Sequence, residues 1–271
     1  MERIDNIGFG GLTLIQDTNE FCYGVDAVIL AHFAAELCKL PVKAADIGTG
    51  TGVIPLLLSH MTGAGEIVGI EVQERSFELA NRNVSRNGLD GKLRMVRGDA
   101  ADAELLKDEN ASFDLVTSNP PYVKKSSGMV SGADAKMIAR HETTAGLDQF
   151  VEMAARLLKA SGSFCMVHRP DRLVDICDSC RRLSLEPKHM RFVNPDKSKT
   201  PNILLIHCVK YGGPNLKLLG PLYIKRLIIE SYIIRQIITE AYMPAIYPKT
   251  PAEKACRMFL TAVTPKYSAR T

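Results

Sequence analysis

The most restrictive feature of the sequence is a glycine-rich turn, Asp46-Ile-Gly-Thr-Gly-Thr-Gly52, between an apolar run and a helical pattern. Glycines at positions 48, 50 and 52 allow a sharp turn and a close approach of the backbone to a ligand. The helix that follows offers free amide donors. The spacing is GxGxG, which differs from the GxGxxG of dinucleotide-binding enzymes, and no Lys-Ser or Lys-Thr follows it as in a phosphate-binding loop. The turn therefore predicts a ligand site of another kind.

Short β-branched runs alternate with longer helical patterns after Lys39, which is typical of a parallel sheet with crossover helices. We expect an α/β fold of the Rossmann-like type, with a mostly parallel seven-stranded sheet flanked by helices. The predicted strands are residues 43–47, 66–71, 93–97, 113–118, 162–168, 188–193 and 203–209, and the predicted helices are residues 26–40, 53–61, 74–87, 147–158 and 173–183.

Acidic residues close the two strands that follow the glycine-rich turn. Glu71 ends the second strand, where a carboxylate can accept hydrogen bonds from both hydroxyls of a ribose, and Asp99 follows the third, where it can accept from an adenine amino group. These strand ends meet at one edge of a parallel sheet, where ligands bind in such folds. The combination resembles the class I methyltransferase fold over residues 24–210, and the resemblance implies S-adenosylmethionine as cofactor.

The fourth predicted strand ends in Asn119-Pro120-Pro121-Tyr122. An adenine amino group is a poor nucleophile because its lone pair is delocalised into the ring. The side-chain oxygen of Asn119 and the carbonyl of Pro120 are two acceptors that a rigid Pro-Pro turn can hold against its N–H groups. Tyr122 offers an aromatic face to an unstacked base. The motif resembles motif IV of amino-methyltransferases, which act on adenine, cytosine, guanine or glutamine nitrogens.

Further stretches resemble one bacterial family, the tRNA1(Val) (adenine(37)-N6)-methyltransferases. They are residues 21–30 (FCYGVDAVIL), 139–142 (ARHE), 168–173 (HRPDRL) and 194–199 (NPDKSK). The resemblance implies that the chain methylates N6 of adenine 37 in the anticodon loop of a valine tRNA. It implies catalytic roles for Asn119, Pro120, Pro121 and Tyr122, and cofactor contacts for Tyr23, Gly24, Asp26, Asp46, Gly48, Gly50, Gly52, Glu71, Asp99 and Asn119.

Several basic residues fit an RNA loop as substrate. Lys124 and Lys125 follow the catalytic turn directly, and Lys197 and Lys199 belong to a loop expected near the same sheet edge. Such lysines can hold phosphates on either side of an unstacked base, although a solvated surface position is the commoner role of any one lysine. Arg140 is a further candidate, with an ion pair to Glu142 as its alternative. Tyr122 and these five basic residues are the predicted substrate contacts.

Charge is distributed unevenly along the chain. Residues 1–210 carry 25 basic and 27 acidic side chains, whereas residues 211–271 carry nine basic and three acidic ones. We expect residues 1–210 to form the methyltransferase domain and residues 211–271 to form a basic C-terminal extension that is partly helical, over residues 222–242, or disordered. We also expect cofactor binding to survive deletion of residues 231–271.

The bulk composition argues against a membrane or secreted protein. No apolar run reaches the roughly 18 residues of a membrane span, and the N-terminus lacks the pattern of a signal peptide, so we expect a cytoplasmic protein. The seven cysteines are odd in number and scattered, which favours reduced thiols. Cys177 and Cys180 form a CxxC, but no second pair of ligands completes a zinc site. We expect no metal.

Other functions share parts of this pattern. A glutamine methyltransferase of a peptide release factor also uses Asn-Pro-Pro-Tyr, but such enzymes carry a helical domain ahead of the glycine loop, and here 45 residues precede Asp46. An rRNA guanine N2-methyltransferase often has a duplicated N-terminal half, and a DNA adenine methyltransferase has a target-recognition domain. Neither feature is visible in this sequence, which makes both enzymes weaker alternatives. A non-catalytic RNA-binding or scaffold protein needs neither Asn119 nor the full glycine loop.

Overall fold

The computed structural model describes residues 1–8, 10–19, 22–122 and 146–225. Five α-helices lie entirely within these ranges: α1 (Val25–Leu37), α2 (Val53–Met61), α3 (Glu74–Arg86), α4 (Leu147–Leu157) and α5 (Leu173–Arg182). The strands are β1 (Glu2–Asn6), β2 (Thr13–Asp17), β3 (Lys43–Ile47), β4 (Glu66–Glu71), β5 (Leu93–Arg97), β6 (Phe113–Ser118), β7 (Leu158–His168), β8 (Leu185–Asn194), β9 (Ile203–Lys210), β10 (Lys217–Leu218) and β11 (Leu222–Tyr223).

The main sheet has the strand order β10-β8-β9-β7-β6-β3-β4-β5, and β11 also pairs with β8. Strands β3 to β7 are parallel, and β9 is antiparallel to both β7 and β8. The predicted mostly parallel seven-stranded sheet is confirmed in its seven long strands, with two two-residue strands added at the β8 edge. Within the main sheet the chain enters at β3, continues outward through β4 to β5, and returns to β6 on the other side of β3. The order therefore reverses at β3 and β6, and ligands bind outside the carboxyl ends of the strands at such a point.

Alternating strand residues feed two apolar cores, one on each face of the sheet. Ala44, Ile67 and Leu115 pack with side chains from α1, α2 and α3. Ala45, Val68, Val116 and Phe164 pack with side chains from α4 and α5 on the opposite face. This alternation follows from the two-residue period of a strand, and it explains why the central strands carry apolar residues on both faces. Both faces are covered, so the strand ends are left as the accessible edges.

The structure corrects several sequence-based expectations. Helix α1 ends at Leu37, three residues before its predicted end, and strand β8 begins at Leu185, three residues before its predicted start. A hairpin of β1 and β2 precedes α1, although no strand was predicted there. Strand β7 begins at Leu158, four residues before the predicted start, because an irregularity in its pairing with β6 accommodates residues 159–162. The helix expected over residues 222–242 is wrong at its start, since Leu222–Tyr223 pairs with β8. Residues 224 and 225 are helical, as predicted, and the rest of that prediction lies outside the described residues.

The proposed boundary between residues 210 and 211 stays a prediction. The residues just after it, up to Tyr223, contribute both β10 and β11 to the main sheet. Among the described residues, none of the helices is long and apolar enough to cross a membrane.

Candidate active site

The glycine-rich loop leaves β3 and enters α2 with three left-handed glycines. Gly48, Gly50 and Gly52 have φ angles of 75°, 57° and 86°, which side chains rarely adopt. A Cβ atom on Gly48 would lie 3.0 Å from the ring of Phe150, whereas a Cβ on Gly50 would have no heavy atom within 4 Å. The loop therefore needs glycine at 48 for packing, and at 50 it leaves its backbone open to a ligand.

Asp46 lies beside this loop and is fully buried. Its Oδ1 accepts a 2.7 Å hydrogen bond from the Thr117 hydroxyl of β6. Its Oδ2 is buried and makes no hydrogen bond of normal geometry within the described part of the chain. Burial raises the pKa of Asp46 to about 7, the Thr117 and Thr49 hydroxyls oppose the shift, and the charge of Glu71 adds to it. A cationic ligand group beside Oδ2 would stabilise the ionised form.

Glu71 ends β4 and reaches back to the glycine loop. Its Oε2 accepts a 2.8 Å hydrogen bond from the Gly50 amide, and its Oε1 accepts a 2.9 Å bond from the Gln73 amide. Burial raises the pKa of this carboxyl, and the amide donors of Gln73, Gly50 and Val72 oppose the rise. Each carboxylate oxygen keeps a second lone pair for a ligand hydroxyl. Glu71 thus serves both the loop and the predicted ribose position.

Asp99 lies two residues after β5, in a half-buried turn. Its Oδ1 accepts a 2.9 Å hydrogen bond from the Ala101 amide, which fixes the carboxylate at the sheet edge. The β5 strand lies next to β4, so the strand ends carrying Asp46, Glu71 and Asp99 follow one another along the same edge. Along this edge the buried carboxylate of Asp46 comes first, then Glu71, which can accept hydrogen bonds from hydroxyl groups, and then the acceptor Asp99. This order suits a cationic nucleoside derivative. S-adenosylmethionine has these chemical groups, and the residues present fit it.

Asn119 and Tyr122 close the next strand, β6, on the other side of β3. The Tyr122 hydroxyl lies 2.8 Å from Oδ2 of Asp26 and 3.0 Å from Oδ1 of Asn119. A phenol carries one proton, so it donates to one of these two oxygens at a time. Ser118 holds the start of this turn by donating a 2.9 Å hydrogen bond to the Ile47 carbonyl. Pro120 is buried behind the turn, and Pro121 is half-buried.

Asp26 brings the segment before the glycine loop into the same site. It lies in the first turn of α1, and burial raises the pKa of its carboxyl while the Tyr122 hydroxyl lowers it. Gly24 is the residue before the helix, and Tyr23 is buried with its amide donating a 2.9 Å bond to Oε1 of Gln16. Asp26 therefore lies beside the turn that follows β6, and Tyr23 is held by the hairpin.

His168 is a site residue that the sequence-based assignment missed. It ends β7, the strand next to β6, and its ring centroid lies 5.0 Å from that of Tyr122. Its Nδ1 accepts a 2.8 Å hydrogen bond from the Arg169 amide, so a neutral ring carries its proton on Nε2. Burial lowers the pKa of His168 to about 4, and nearby Arg172 contributes. Its position at the end of the strand beside β6 was the available signal.

The predicted RNA contacts are only partly described. Lys197 and Lys199 are exposed in the loop between β8 and β9. Because β8 runs parallel to β7 across the antiparallel β9, this loop lies at the same sheet edge as His168. The side chain of Asn194 donates a 2.7 Å bond to the Lys199 carbonyl, which folds the loop. Lys124, Lys125, Arg140 and the rest of residues 139–142 lie outside the described residues.

The CxxC pair lies away from these strand ends. Cys177 and Cys180 lie in α5 as free thiols, the first half-buried and the second buried. Burial raises the pKa of Cys177, which disfavours a reactive thiolate. No group of three or more metal-ligating side chains was found among the residues that the structure describes.

Comparison with known proteins agrees with this geometry. A tRNA1(Val) (adenine(37)-N6)-methyltransferase of Porphyromonas gingivalis is 33% identical over 156 residues, and the match covers 56% of this chain and 60% of that relative's length. A relative of the same name from Parabacteroides distasonis is 28% identical over 200 residues, covering 73% of this chain and 81% of the relative.

The fold has solved counterparts. A crystal structure from Agrobacterium tumefaciens, titled a predicted O-methyltransferase, superposes with a TM-score of 0.57 at 18% identity and covers 73% of this chain and 87% of its own. At that identity the likeness concerns the fold alone. The family model of the methyltransferase small domain matches residues 12–174, more than half of the chain. The chain therefore belongs to the methyltransferase small domain family.

Proposed function

We propose that the protein transfers a methyl group from S-adenosylmethionine to the exocyclic N6 of an adenine in tRNA, namely adenine 37 in the anticodon loop of a valine tRNA. The observation that carries the proposal is the juxtaposition of Asn119 with Tyr122 and Asp26 at the carboxyl end of β6, next to the glycine loop. The names of the P. gingivalis and P. distasonis relatives support the choice of acceptor.

The cofactor is held by the three strand ends in this proposal. S-adenosylmethionine supplies an electrophilic methyl group on a positively charged sulfur. The open backbone at Gly50 accommodates it, and the buried carboxylate of Asp46 faces its cationic part. Glu71 accepts from its ribose hydroxyls and Asp99 from its adenine. Tyr23, Gly24 and Asp26 border its methionine part from the other side.

The acceptor amine is oriented by the turn after β6. Asn119 Oδ1 and the Pro120 carbonyl each accept one N–H of a planar amino group, which leaves the lone pair of the nitrogen free to act as nucleophile. The proton that the nitrogen loses becomes acidic as the methyl is acquired, so no strong general base is required. The buried Pro120 restrains the turn and keeps the two acceptors at a fixed separation.

Tyr122 controls whether Asn119 Oδ1 is available to accept a hydrogen bond from the substrate amine. In the described conformation its hydroxyl lies 3.0 Å from Asn119 Oδ1, the oxygen that the substrate amine needs. Donation of the phenolic proton to Asp26, 2.8 Å away, frees the Asn119 oxygen for the incoming amine. The ring of Tyr122 then presents its face to the unstacked base, with His168 behind it.

The RNA backbone is gripped next to the site in this proposal. Lys197 and Lys199 are exposed at the sheet edge where β7 ends and contact phosphates near the unstacked base. Lys124, Lys125 and Arg140 extend this contact. A tRNA substrate also makes the cytoplasm the place of action.

The test uses the full chain, labelled S-adenosylmethionine and two unmodified valine tRNA transcripts. One transcript has adenine at position 37, and the matched control has guanine there. We expect label in N6-methyladenosine of the first transcript and none in the second. Equal label in both transcripts would overturn the position, and the absence of label from tRNA would overturn the substrate class.

Parallel incubations separate the alternatives. A peptide release factor labelled on a glutamine side chain would favour the protein methyltransferase, and label in N2-methylguanosine of rRNA would favour the guanine enzyme. Label in neither RNA nor protein, with intact binding of S-adenosylhomocysteine, would favour a non-catalytic cofactor-fold protein.

A further inference from the structure

Asn83 of α3 and Asn87, the residue that directly follows the helix, pair with the edge of the N-terminal hairpin as a neighbouring strand would. Oδ1 of Asn83 accepts a 2.6 Å bond from the Ile15 amide, and its Nδ2 donates a 3.1 Å bond to the Ile15 carbonyl. Asn87 makes the same two bonds with Thr13. Its Oδ1 accepts a 2.9 Å bond from the Thr13 amide, and its Nδ2 donates a 2.8 Å bond to the Thr13 carbonyl. Both side-chain amides thus form two-bond pairs with the backbone of β2.

Helix and strand geometry explain why this pairing works. Residues four apart in a helix are separated by about 6.0 Å along its axis, and alternate residues of an antiparallel strand by about 6.8 Å. The edge groups of β2 would otherwise face the helix without partners, at a substantial cost in free energy. The pair Asn83 and Asn87 therefore fixes the hairpin to α3.

Only Asn83 continues to the glycine loop. Its Nδ2 also donates a 2.9 Å bond to the Thr51 carbonyl, whereas Nδ2 of Asn87 turns back to the Asn83 carbonyl at 2.7 Å. The Gly52 amide belongs to the same peptide unit as the Thr51 carbonyl, and it donates a 3.0 Å bond to the Thr49 carbonyl. The peptide between residues 51 and 52 is thus held at both ends. Asn83 is fully buried, and both of its Nδ2 protons are used.

Helix α3 also packs directly under this peptide. A Cβ atom on Gly52 would lie 3.4 Å from the Cβ of Ala80, one turn before Asn83. The helix thus approaches the loop closely enough for a short side chain to reach its carbonyl. Helix α3 thus supports the loop at the 51–52 peptide, while the backbone at Gly50 stays open to a ligand.

We propose that Asn83 is a positioning residue for the cofactor loop, which couples the N-terminal hairpin to the orientation of the 51–52 peptide. The proposal rests on the proposed function, because it assigns the loop to S-adenosylmethionine. Asn87, by contrast, docks the hairpin without touching the loop. The two residues make the same pair of bonds to β2 and differ in the bond to Thr51, so they form a matched pair of test positions.

The experiment compares Asn83→Asp with Asn87→Asp in the full chain. Each substitution keeps an acceptor for the β2 amide and removes the Nδ2 donors. Binding of S-adenosylhomocysteine is measured by calorimetry, and amide hydrogen exchange is followed at residues 13–17 and 48–52. We expect both variants to speed exchange in β2. Only Asn83→Asp speeds exchange in the loop, and it weakens S-adenosylhomocysteine binding by about tenfold, against less than twofold for Asn87→Asp.

Equal losses of affinity in the two variants would overturn the proposal, since the hairpin as a whole would then be responsible. Unchanged affinity and loop exchange in Asn83→Asp would overturn it as well. If the buried carboxylate prevents folding, Asn83→Ser and Asn87→Ser make the same comparison. A wild-type protein that binds no S-adenosylhomocysteine would contradict the proposed function, and the exchange at residues 48–52 would still decide the coupling.

Discussion

The hydroxyl of Tyr122 lies 2.8 Å from Oδ2 of Asp26, a residue 96 positions earlier in the chain. This contact joins the turn after β6 to the first turn of α1, across the place where the glycine loop leaves β3. The same hydroxyl lies 3.0 Å from Oδ1 of Asn119. One proton is therefore shared between the N-terminal segment and the proposed acceptor of the substrate amine.

Removing either partner of this contact is expected to slow methyl transfer. Tyr122→Phe keeps the stacking face but loses the tether to Asp26, and we expect kcat/KM for tRNA to fall by about tenfold, the value of one hydrogen bond to a charged group. Asp26→Ala loses the same tether together with any contact to the cofactor. The measurement is steady-state methylation of the valine tRNA transcript.

The double variant provides the control. If the two single losses share one hydrogen bond, their effects are less than additive, and the double variant falls short of the product of the two fold-losses. Strict additivity would show that Tyr122 and Asp26 act independently.

Asn119→Ala is expected to abolish methyl transfer while S-adenosylhomocysteine binds nearly as in the wild type. The alanine removes the acceptor that orients the substrate amine, and a lost transition-state hydrogen bond of this kind costs roughly 10²–10³ in kcat. Single-turnover methylation and calorimetry of the same preparation separate the two effects. An Asn119→Ala protein whose kcat stays within about tenfold of the wild type would be incompatible with the proposed chemistry.

Asp46 predicts a specific pH dependence of stability. Its pKa rises from 3.8 to about 7 on folding, so the folded state binds an extra proton between these values, and stability contributed by the neutral form is lost as the pH rises through that range. Asp46→Asn does not titrate. Relative to the wild type, its free energy of unfolding should therefore gain about 1.4 kcal/mol per pH unit from pH 4 to pH 7, or about 4 kcal/mol in all.

Urea unfolding of both proteins without cofactor, from pH 4 to pH 8, measures this difference. The two curves should run parallel above pH 7, where Asp46 is ionised in both states. Curves that run parallel over the whole range would show that the carboxyl is not perturbed in the folded state.

His168 is expected to act through its ring and not through its charge. His168→Ala removes the contact behind Tyr122, and we expect kcat/KM to fall by about threefold to tenfold, as for the loss of an aromatic pair. His168→Phe restores a ring and should restore most of the activity. Since burial lowers the pKa of His168 to about 4, the pH profile of His168→Phe should match the wild type from pH 6 to pH 8. A profile that changes shape would assign proton transfer to the imidazole.

Lys197 and Lys199 should affect tRNA binding but not cofactor binding. The double change to alanine removes two phosphate contacts to an unpaired loop, and the magnitude of the slope of log affinity against log salt concentration should decrease by about 1.4. Fluorescence titration of a labelled tRNA at several salt concentrations measures the slope. Lys217, an exposed lysine in β10 that pairs with the middle of β8 and not with its carboxyl end, offers a control, since Lys217→Ala should leave the slope unchanged.

Local patterns in the sequence predicted the seven long strands of the sheet and most of the residues at their carboxyl ends. The glycines at 48, 50 and 52 adopt the left-handed conformations that a tight turn requires, and Glu71 and Asn119 follow their strands as expected. These predictions succeed because strand period, helix ends and glycine turns depend on neighbouring residues. Start positions were less secure, as β7 shows, because its first residues are set by pairing with a different strand.

The sequence by itself determined which strand ends carry acidic, amide and glycine residues, since parallel strands bring such ends to one edge. Only the tertiary structure decided which of them touch. The sharing of the Tyr122 proton between Asp26 and Asn119, the His168 ring behind Tyr122 and the reach of Asn83 to Thr51 join residues distant in sequence. Such contacts depend on how the helices and strands pack against one another. The local sequence around an asparagine in a helix does not indicate that its side-chain amide will hydrogen-bond to the backbone of a strand.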